Sequence, residues 1–174
     1  MKIKFSLLAV FAVAVVFSSC SKEDPVSADV STRATITGIV RGNIDFTNDF
    51  IIEETQVGGE TVVDTIPTVV FERLEDVRIF ARFNAADLTT NPQPGFNYPD
   101  RIVEARTDAD GRYTLTIPAG TKTVSVAVNG NDFETELILE DGQTERAVMS
   151  TGGASHISVT QNETRVVDFT YSIN

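Results

Sequence analysis

Apolar and polar residues alternate with a period of two along most of the chain beyond its first thirty residues. This alternation predicts β-strands that bury one face and expose the other. The clearest runs are Arg33–Arg41, Val77–Phe83, Arg112–Ile117 and Thr121–Val128, and they are rich in Val, Ile and Thr, which pleated strands favour. No sustained helical period follows the first twenty residues.

Turn residues separate the runs at short intervals. The sequence Asp108-Ala109-Asp110-Gly111 predicts a tight turn that joins Ile102–Thr107 and Arg112–Ile117 into a β-hairpin. Further predicted strands are Phe133–Leu139, Thr144–Met149, Ser155–Thr160 and Arg165–Tyr171, the last two as a pair around Gln161-Asn162. Seven to nine short strands predict an all-β fold, an antiparallel β-sandwich spanning residues 33–174.

Two stretches interrupt this pattern. Phe50–Val70 holds two apolar doublets on either side of Gly58-Gly59, which fits either a small hairpin or an ordered loop. Asn84–Asp100 contains three prolines, which excludes a central strand because proline lacks the backbone donor. A short helical turn is expected at Ala85–Leu88 within this Pro-rich loop, and the role of both stretches, roughly 43–76 and 84–100, stays open.

The N-terminus has the pattern of an export signal. A basic start with Lys2 and Lys4 precedes the uncharged run Phe5–Phe17, which is shorter than the roughly 20 residues of a membrane span. Ser18-Ser19-Cys20 follows and resembles the lipobox of bacterial lipoproteins, with Phe17 where that family usually has leucine. The resemblance implies cleavage before Cys20 and acylation of its thiol, which would anchor the chain stably in a membrane.

Residues 1–19 are therefore predicted to be a lipoprotein signal peptide, and the polar segment 20–32 a flexible tether. Ser21 stands where an aspartate retains many lipoproteins in the inner membrane, and Lys22-Glu23-Asp24 resembles short surface-export signals. The expected location is the cell envelope, at the outer membrane or the cell surface. Which membrane and leaflet stays open.

The net negative charge of the chain excludes one class of binding partner. The full chain has a net charge of −11, and loss of Lys2 and Lys4 with the signal reduces the 14 basic side chains to 12 against 25 acidic ones, or −13. Such a surface repels nucleic acid, so no nucleic-acid partner is expected. The single cysteine forms no intrachain disulfide, which leaves its thiol for the lipid.

A second resemblance lies in residues 107–120, which are similar to the signature of carboxypeptidase regulatory-like domains. Ile36–Val40 and Val124–Val128 match the flanking strands of that family by pattern. The resemblance implies a transthyretin-like (prealbumin-like) sandwich of about seven strands. It also implies an accessory or binding role, although a fold does not fix a function.

The sequence predicts no enzyme. His156 is the only histidine, no Gly-x-Ser-x-Gly elbow occurs, and one histidine cannot build the usual zinc site. The hydrolase found among transthyretin-like proteins uses more histidines and a different C-terminus. We therefore interpret His156 as an exposed strand residue, with no catalytic residue and no required cofactor.

Two weaker binding candidates remain. Asp45, Asn48 and Asp49, with Glu53 and Glu54 nearby, offer oxygen ligands for calcium. Asp108 and Asp110 are explained by their turn. Phe96 and Tyr98 in the Pro-rich loop are the candidate ligand contacts, since long loops on rigid scaffolds often bind partners.

These observations favour a non-enzymatic cell-envelope lipoprotein that serves as an adhesion, assembly or accessory-binding module. The alternative is a glycan- or calcium-binding component of a surface nutrient-uptake system. The expected partners are the membrane, through the lipid anchor, and a protein or glycan that the sequence does not identify.

Overall fold

The structure, a computed structural model, describes residues 32–174. The predictions for the signal peptide, for Cys20 and for the tether up to residue 31 lie outside the described residues. No helix between residues 32 and 174 is both long enough and apolar enough to cross a membrane.

The described part of the chain is built from thirteen β-strands and two short 3-10 helices. The 3-10 helices span Phe46–Asn48 and Ala85–Leu88, the second where the helical turn was predicted. The strands are β1 (Arg33–Gly42), β2 (Phe50–Val57), β3 (Glu60–Pro67), β4 (Glu72–Arg73), β5 (Arg78–Asn84), β6 (Asp100–Arg106), β7 (Arg112–Pro118), β8 (Val124–Gly130), β9 (Phe133–Ile138), β10 (Thr144–Ser150), β11 (Ser155–Val159), β12 (Thr164–Val166) and β13 (Phe169–Ile173).

The first sheet is organised around β1. The strands run in the order β12-β1-β13-β10-β9, and β7 and β4 also pair with β1. The pairs that β1 makes with β12 and β13 are parallel, whereas every other pair of strands between residues 32 and 174 is antiparallel. Asp168 lies between β12 and β13, and its carboxylate accepts a hydrogen bond from the Ile39 N–H at 2.8 Å. This bond satisfies the β1 backbone at the point where its parallel partner changes from β12 to β13.

The second sheet has the order β11-β8-β5-β6. Its inner face and that of the first sheet supply one buried cluster, because alternation along each strand sends every second side chain inward. The largest fully buried side chains are Ile36, Val40, Ile79, Leu115, Ile117, Val124, Val126, Val128, Met149, Val159 and Tyr171. The predicted all-β sandwich is therefore confirmed.

Close backbone approach fixes the centre of this core. An added Cβ at Gly38 in β1 would lie 1.8 Å from the Val167 carbonyl oxygen, which also accepts the Tyr113 hydroxyl proton at 2.6 Å. An added Cβ at Gly130 in β8 would lie 1.9 Å from the Tyr171 hydroxyl, which donates to the Asn131 carbonyl. These glycines therefore leave the space that the two buried tyrosines occupy.

Burial changes the acidity of both phenols. Desolvation raises the pKa of Tyr113 well above its ordinary value, and the negative charge of Asp168 adds to this effect. Burial, together with the charge of Asp132, raises the pKa of Tyr171 in the same direction. Both hydroxyls thus stay protonated and keep donating to backbone carbonyls.

Two predicted strand pairings are wrong. β6 pairs with β5 and β7 pairs with β1, so the predicted hairpin is a corner between the two sheets. The cause is Thr107, whose buried hydroxyl donates to the Leu74 carbonyl and accepts from the Val77 N–H. This side chain binds the end of β6 to the start of β5. Likewise β11 pairs with β8 and β12 with β1, so the predicted last pair does not form.

Candidate functional site

Strands β2 and β3 form a two-stranded ribbon, residues 50–67, that is separate from both sheets. Gly58 and Gly59 make its turn with φ of +64° and +89°, the left-handed conformation that two-residue hairpin turns require. All sixteen strand residues are exposed. The sequence left two possibilities open for Phe50–Val70, a small hairpin or an ordered loop, and the structure contains the hairpin.

The surface of the ribbon is both apolar and acidic. Its exposed apolar side chains are Phe50, Ile51, Ile52, Val57, Val62, Val63 and Ile66, with exposed fractions between 39% and 60%. The ribbon also carries four carboxylates and neither lysine nor arginine. Glu53 lies directly opposite Asp64, a like-charge pair that weakens the ribbon. Exposed apolar patches of this kind are typical of interaction surfaces, so the ribbon is the candidate contact surface.

The two outer edges of the ribbon differ. Because Val57 and Glu60 flank a two-residue turn, they form a hydrogen-bonded pair, and the alternate pairs direct their backbone groups outward. On β3 one outward position is Pro67, which lacks an N–H, and the outward N–H of Thr65 donates to the Asp64 carboxylate at 2.9 Å. On β2 the outward N–H groups of Ile52, Glu54 and Gln56 have no partner among the described residues, and on β3 those of Thr61 and Val63 have none either. The β2 edge is therefore the more open of the two, because its row of outward N–H groups is uninterrupted.

Asp49 holds the base of the ribbon. Its backbone carbonyl accepts from the Thr68 N–H at 3.0 Å, and its carboxylate accepts from the Val70 N–H at 2.7 Å and from the Asn43 amide at 2.6 Å. The Asn48 amide donates to the Glu72 carboxylate at 3.1 Å beside it. This polar cluster positions the ribbon on the body.

The same cluster contains two of the three calcium candidates. Asn48 and Asp49 lie in it, whereas Asp45 caps the first 3-10 helix by accepting from Thr47 N and Oγ1. Glu53 and Glu54 lie on the ribbon. The Asn43 and Asn48 Oδ1 atoms are buried without a hydrogen-bond partner. Between residues 32 and 174, no three His, Cys, Asp or Glu side chains are grouped to hold a metal ion.

The Pro-rich loop brings the candidate contacts Phe96 and Tyr98 together. Their rings meet edge to face with centroids 4.7 Å apart, and Phe96 is 58% exposed. The Tyr98 hydroxyl accepts from the Gln93 N–H at 2.9 Å, so it is used within the loop. Lys122 Nζ donates to the carbonyls of Thr89 and Thr90, which fixes the loop to the β7–β8 connection.

A shallow groove of about 490 Å³ crosses the outer face of the second sheet. Arg82 on β5 and His156 on β11 both lie opposite Ala127 on the intervening strand β8. Asn84 and Asp100 line one end, where the Asn84 amide donates both to Asp100 Oδ1 and to the Tyr98 carbonyl. The Pro-rich loop therefore lies beside the groove.

Sequence reasoning missed this groove. It interpreted His156 as an exposed strand residue, which is confirmed, but it did not single out Arg82. Their proximity depends on β8 lying between β5 and β11, and no local pattern specifies that order. A signal was present in the small residues Ser125 and Ala127 on the outer face of a buried strand, which leave space between neighbouring long side chains.

The comparisons with known proteins do not assign the chain to a family. No family model matches it, and no curated protein matches it. Among solved structures the chain is similar to the major plantain pollen allergen Pla l 1, at 14% identity and a TM-score of 0.37, over 82% of this chain and 94% of that one.

Proposed function

We propose that this protein is a non-enzymatic, lipid-anchored module of the cell envelope that binds an extended protein segment along the β2 edge of its ribbon. The observation that carries the proposal is a ribbon exposed over its whole length, with apolar side chains and an uninterrupted row of outward N–H groups along β2. Free edges of this kind bind other chains by strand addition. Adhesion and assembly at a cell surface both use such contacts.

The energetics of the ribbon support a partner. A two-stranded hairpin without a packed face is marginally stable in water, and the opposed carboxylates of Glu53 and Asp64 lower its stability further. A third strand would bond the free N–H groups of β2 and cover part of its apolar surface. Binding would thus stabilise the element that does the binding.

The charges of the ribbon define the partner. Phe50, Ile51 and Ile52 form an apolar half of β2, and Glu53 and Glu54 follow directly. An antiparallel third strand would place basic residues opposite the two glutamates and β-branched or aromatic residues opposite the apolar half. A second copy of the same ribbon would oppose carboxylates, so the occupant is a basic segment of another protein.

Two synthetic peptides test this proposal. Thr-Thr-Lys-Lys-Val-Val-Tyr matches the charges of β2 in antiparallel register, and the same peptide with Glu in place of Lys is its control. The lysine peptide should shift the backbone amide NMR signals of Ile52, Glu54 and Gln56, and the glutamate peptide should not. Equal responses to the two peptides, or shifts confined to the sandwich, would contradict the proposal.

Charge reversal and shortening provide the matched variants. A Glu53→Lys, Glu54→Lys double variant should exchange the preference and bind the glutamate peptide. A variant in which a short Gly-Ser linker replaces residues 51–66 should bind neither peptide and keep the melting temperature of the body. Peptide binding that survives this shortening would place the site elsewhere.

The lipid anchor is a separate part of the proposal, supported by the run from Lys2 to Cys20. A Cys20→Ser variant should leave the membrane fraction of cells, because no acyl chains hold it there. Ser27→Ala in the same segment is the control and should remain with the membrane. Mass spectrometry of the mature chain should find acyl groups on Cys20, and an unmodified thiol would refute the anchor.

A further inference from the structure

The groove on the outer face of the second sheet has a defined construction. Arg82 and His156 lie on opposite sides of Ala127 in one row across β5, β8 and β11. In the next row Ser125 is paired with Ser158. Because Ala127 and Ser125 are small, the middle strand forms the floor of the groove, and the longer side chains on either side form its walls.

Two polar side chains of this groove, those of Arg82 and His156, are available to a ligand. The Arg82 guanidinium and the His156 imidazole make no hydrogen bond or ion pair with another residue in the described range 32–174. By contrast, neighbouring arginines on the same sheet are paired, Arg78 with Glu104 and Arg106 with Asp76. Arg82 is thus a free guanidinium at a groove in a chain whose net charge is −11.

We propose that this groove binds a glycan that contains a uronic acid. A guanidinium donates two parallel hydrogen bonds to a carboxylate, which is the geometry that the free Arg82 offers. Ser125 and Ser158 supply hydroxyl groups, and Asp100 accepts from sugar hydroxyls at the far end. This site is distinct from the ribbon and is independent of the function proposed for it.

The size and lining of the groove favour a sugar over a small inorganic anion. The backbones of Arg82 and His156 are two strand spacings apart, or about 10 Å, so the groove between them is wide enough for a sugar ring. The carboxylate of Asp100 would repel a compact multivalent anion. The groove, with one guanidinium and one carboxylate, instead suits a ligand that combines one carboxylate with several hydroxyl groups.

Titration with three probes tests the proposal. Cellobiouronic acid, the disaccharide of glucuronic acid and glucose, should shift the amide NMR signals of Arg82, Ala127 and His156. Cellobiose, which has a hydroxymethyl group in place of the carboxylate, should bind at least about tenfold more weakly because Arg82 loses its charged partner. Inorganic phosphate should not displace the disaccharide.

Three variants locate the binding. Arg82→Gln should weaken the binding of cellobiouronic acid about tenfold or more. Arg101→Gln removes another free, exposed guanidinium outside the groove and should leave the affinity unchanged. Ala127→Leu should block the groove while keeping every charge, and circular dichroism would verify that each variant folds.

Several results would overturn the proposal. Equal affinities for cellobiouronic acid and cellobiose would remove the role of the carboxylate, and effective competition by phosphate would identify a simple anion site. The same loss in Arg82→Gln and Arg101→Gln would indicate general electrostatics. Finding no shift at about 20 mM disaccharide would exclude a site of useful affinity.

Discussion

Strand β1 and the β2–β3 ribbon contain similar β-branched residues, yet those of β1 are buried or half-buried and those of the ribbon are exposed. In β1 the side chains of Ala34, Ile36 and Val40 fall on one face and are buried. In the ribbon the apolar residues come as doublets, so Ile51 and Ile52 point to opposite faces. A strand with apolar groups on both faces cannot cover a core with one of them without exposing the other. The spacing of apolar residues, more than their number, therefore separates the buried scaffold from the exposed ribbon.

The strongest way to break the scaffold is Gly38→Ala. Its Cβ would lie 1.8 Å from the Val167 carbonyl oxygen, so β1 or the connection between β12 and β13 would have to move. We expect a loss of about 4–5 kcal/mol in the free energy of unfolding, measured by urea denaturation. Gly120→Ala is the matched control, because no atom lies within 4 Å of its added Cβ. A near-neutral Gly38→Ala would contradict the close approach of β1 and the Val167 backbone.

The same change made in each region should sharpen the contrast. Ile36→Ala removes a side chain that is 0% exposed and should cost about 3 kcal/mol of unfolding free energy. Ile52→Ala removes one that is 58% exposed and should change it by less than about 0.5 kcal/mol. The second variant should instead weaken binding of the lysine peptide. Equal effects on stability would mean that the ribbon packs on the body.

Alkaline pH should act on the scaffold through Tyr113 and Tyr171. Since their folded pKa is raised above the ordinary value of 10.0, the unfolded chain releases these protons first. The contribution of these two phenols to the free energy of unfolding is therefore fully present below about pH 10. Above about pH 10 it falls by about 1.4 kcal/mol per pH unit for each phenol.

Urea titrations between pH 9 and 11 measure this slope. Tyr113→Phe should lose about half of it, independently of its cost at neutral pH from the unpaired Val167 carbonyl. The ribbon contains no tyrosine, so the shortened-ribbon variant should keep the full slope. A slope that survives the loss of both phenols would assign the alkaline response to other groups.

The sequence predicted strand positions well because alternation is local, and the burial of Tyr113, Leu115 and Ile117 follows it closely. Strand partners were harder because they depend on contacts distant in sequence. The hydrogen bonds of Thr107 to Leu74 and Val77 turn an expected hairpin into a corner between sheets.

The candidate sites follow the same division. Phe96 and Tyr98 are close in sequence and were predicted together, and their rings do touch. Arg82 and His156 are 74 positions apart and are brought together only by the strand order of the second sheet. Asp49 was predicted as a calcium ligand only because its segment is rich in oxygen-bearing side chains. Its hydrogen bonds with Thr68 and Val70 show that it holds the base of the ribbon.

The smallest expected effect separates the stability of the ribbon from its charge. Glu53→Lys converts the repulsive pair with Asp64 into an attractive one and should stabilise the ribbon by about 0.5 kcal/mol. Amide hydrogen exchange of Thr55 and Val62 would measure this gain, while the urea midpoint of the body should not change. Glu53→Gln, which removes the repulsion without adding a positive charge, is the control and should give a smaller gain.

The same Glu53→Lys variant should bind the lysine peptide more weakly, although its ribbon is better formed. If ribbon order alone governed binding, the variant would instead bind more tightly, because less free energy would be spent on ordering β2. The sign of the change in affinity thus decides between recognition by charge and recognition by a preformed edge. A weaker complex with a better protected ribbon is the result that our proposal requires.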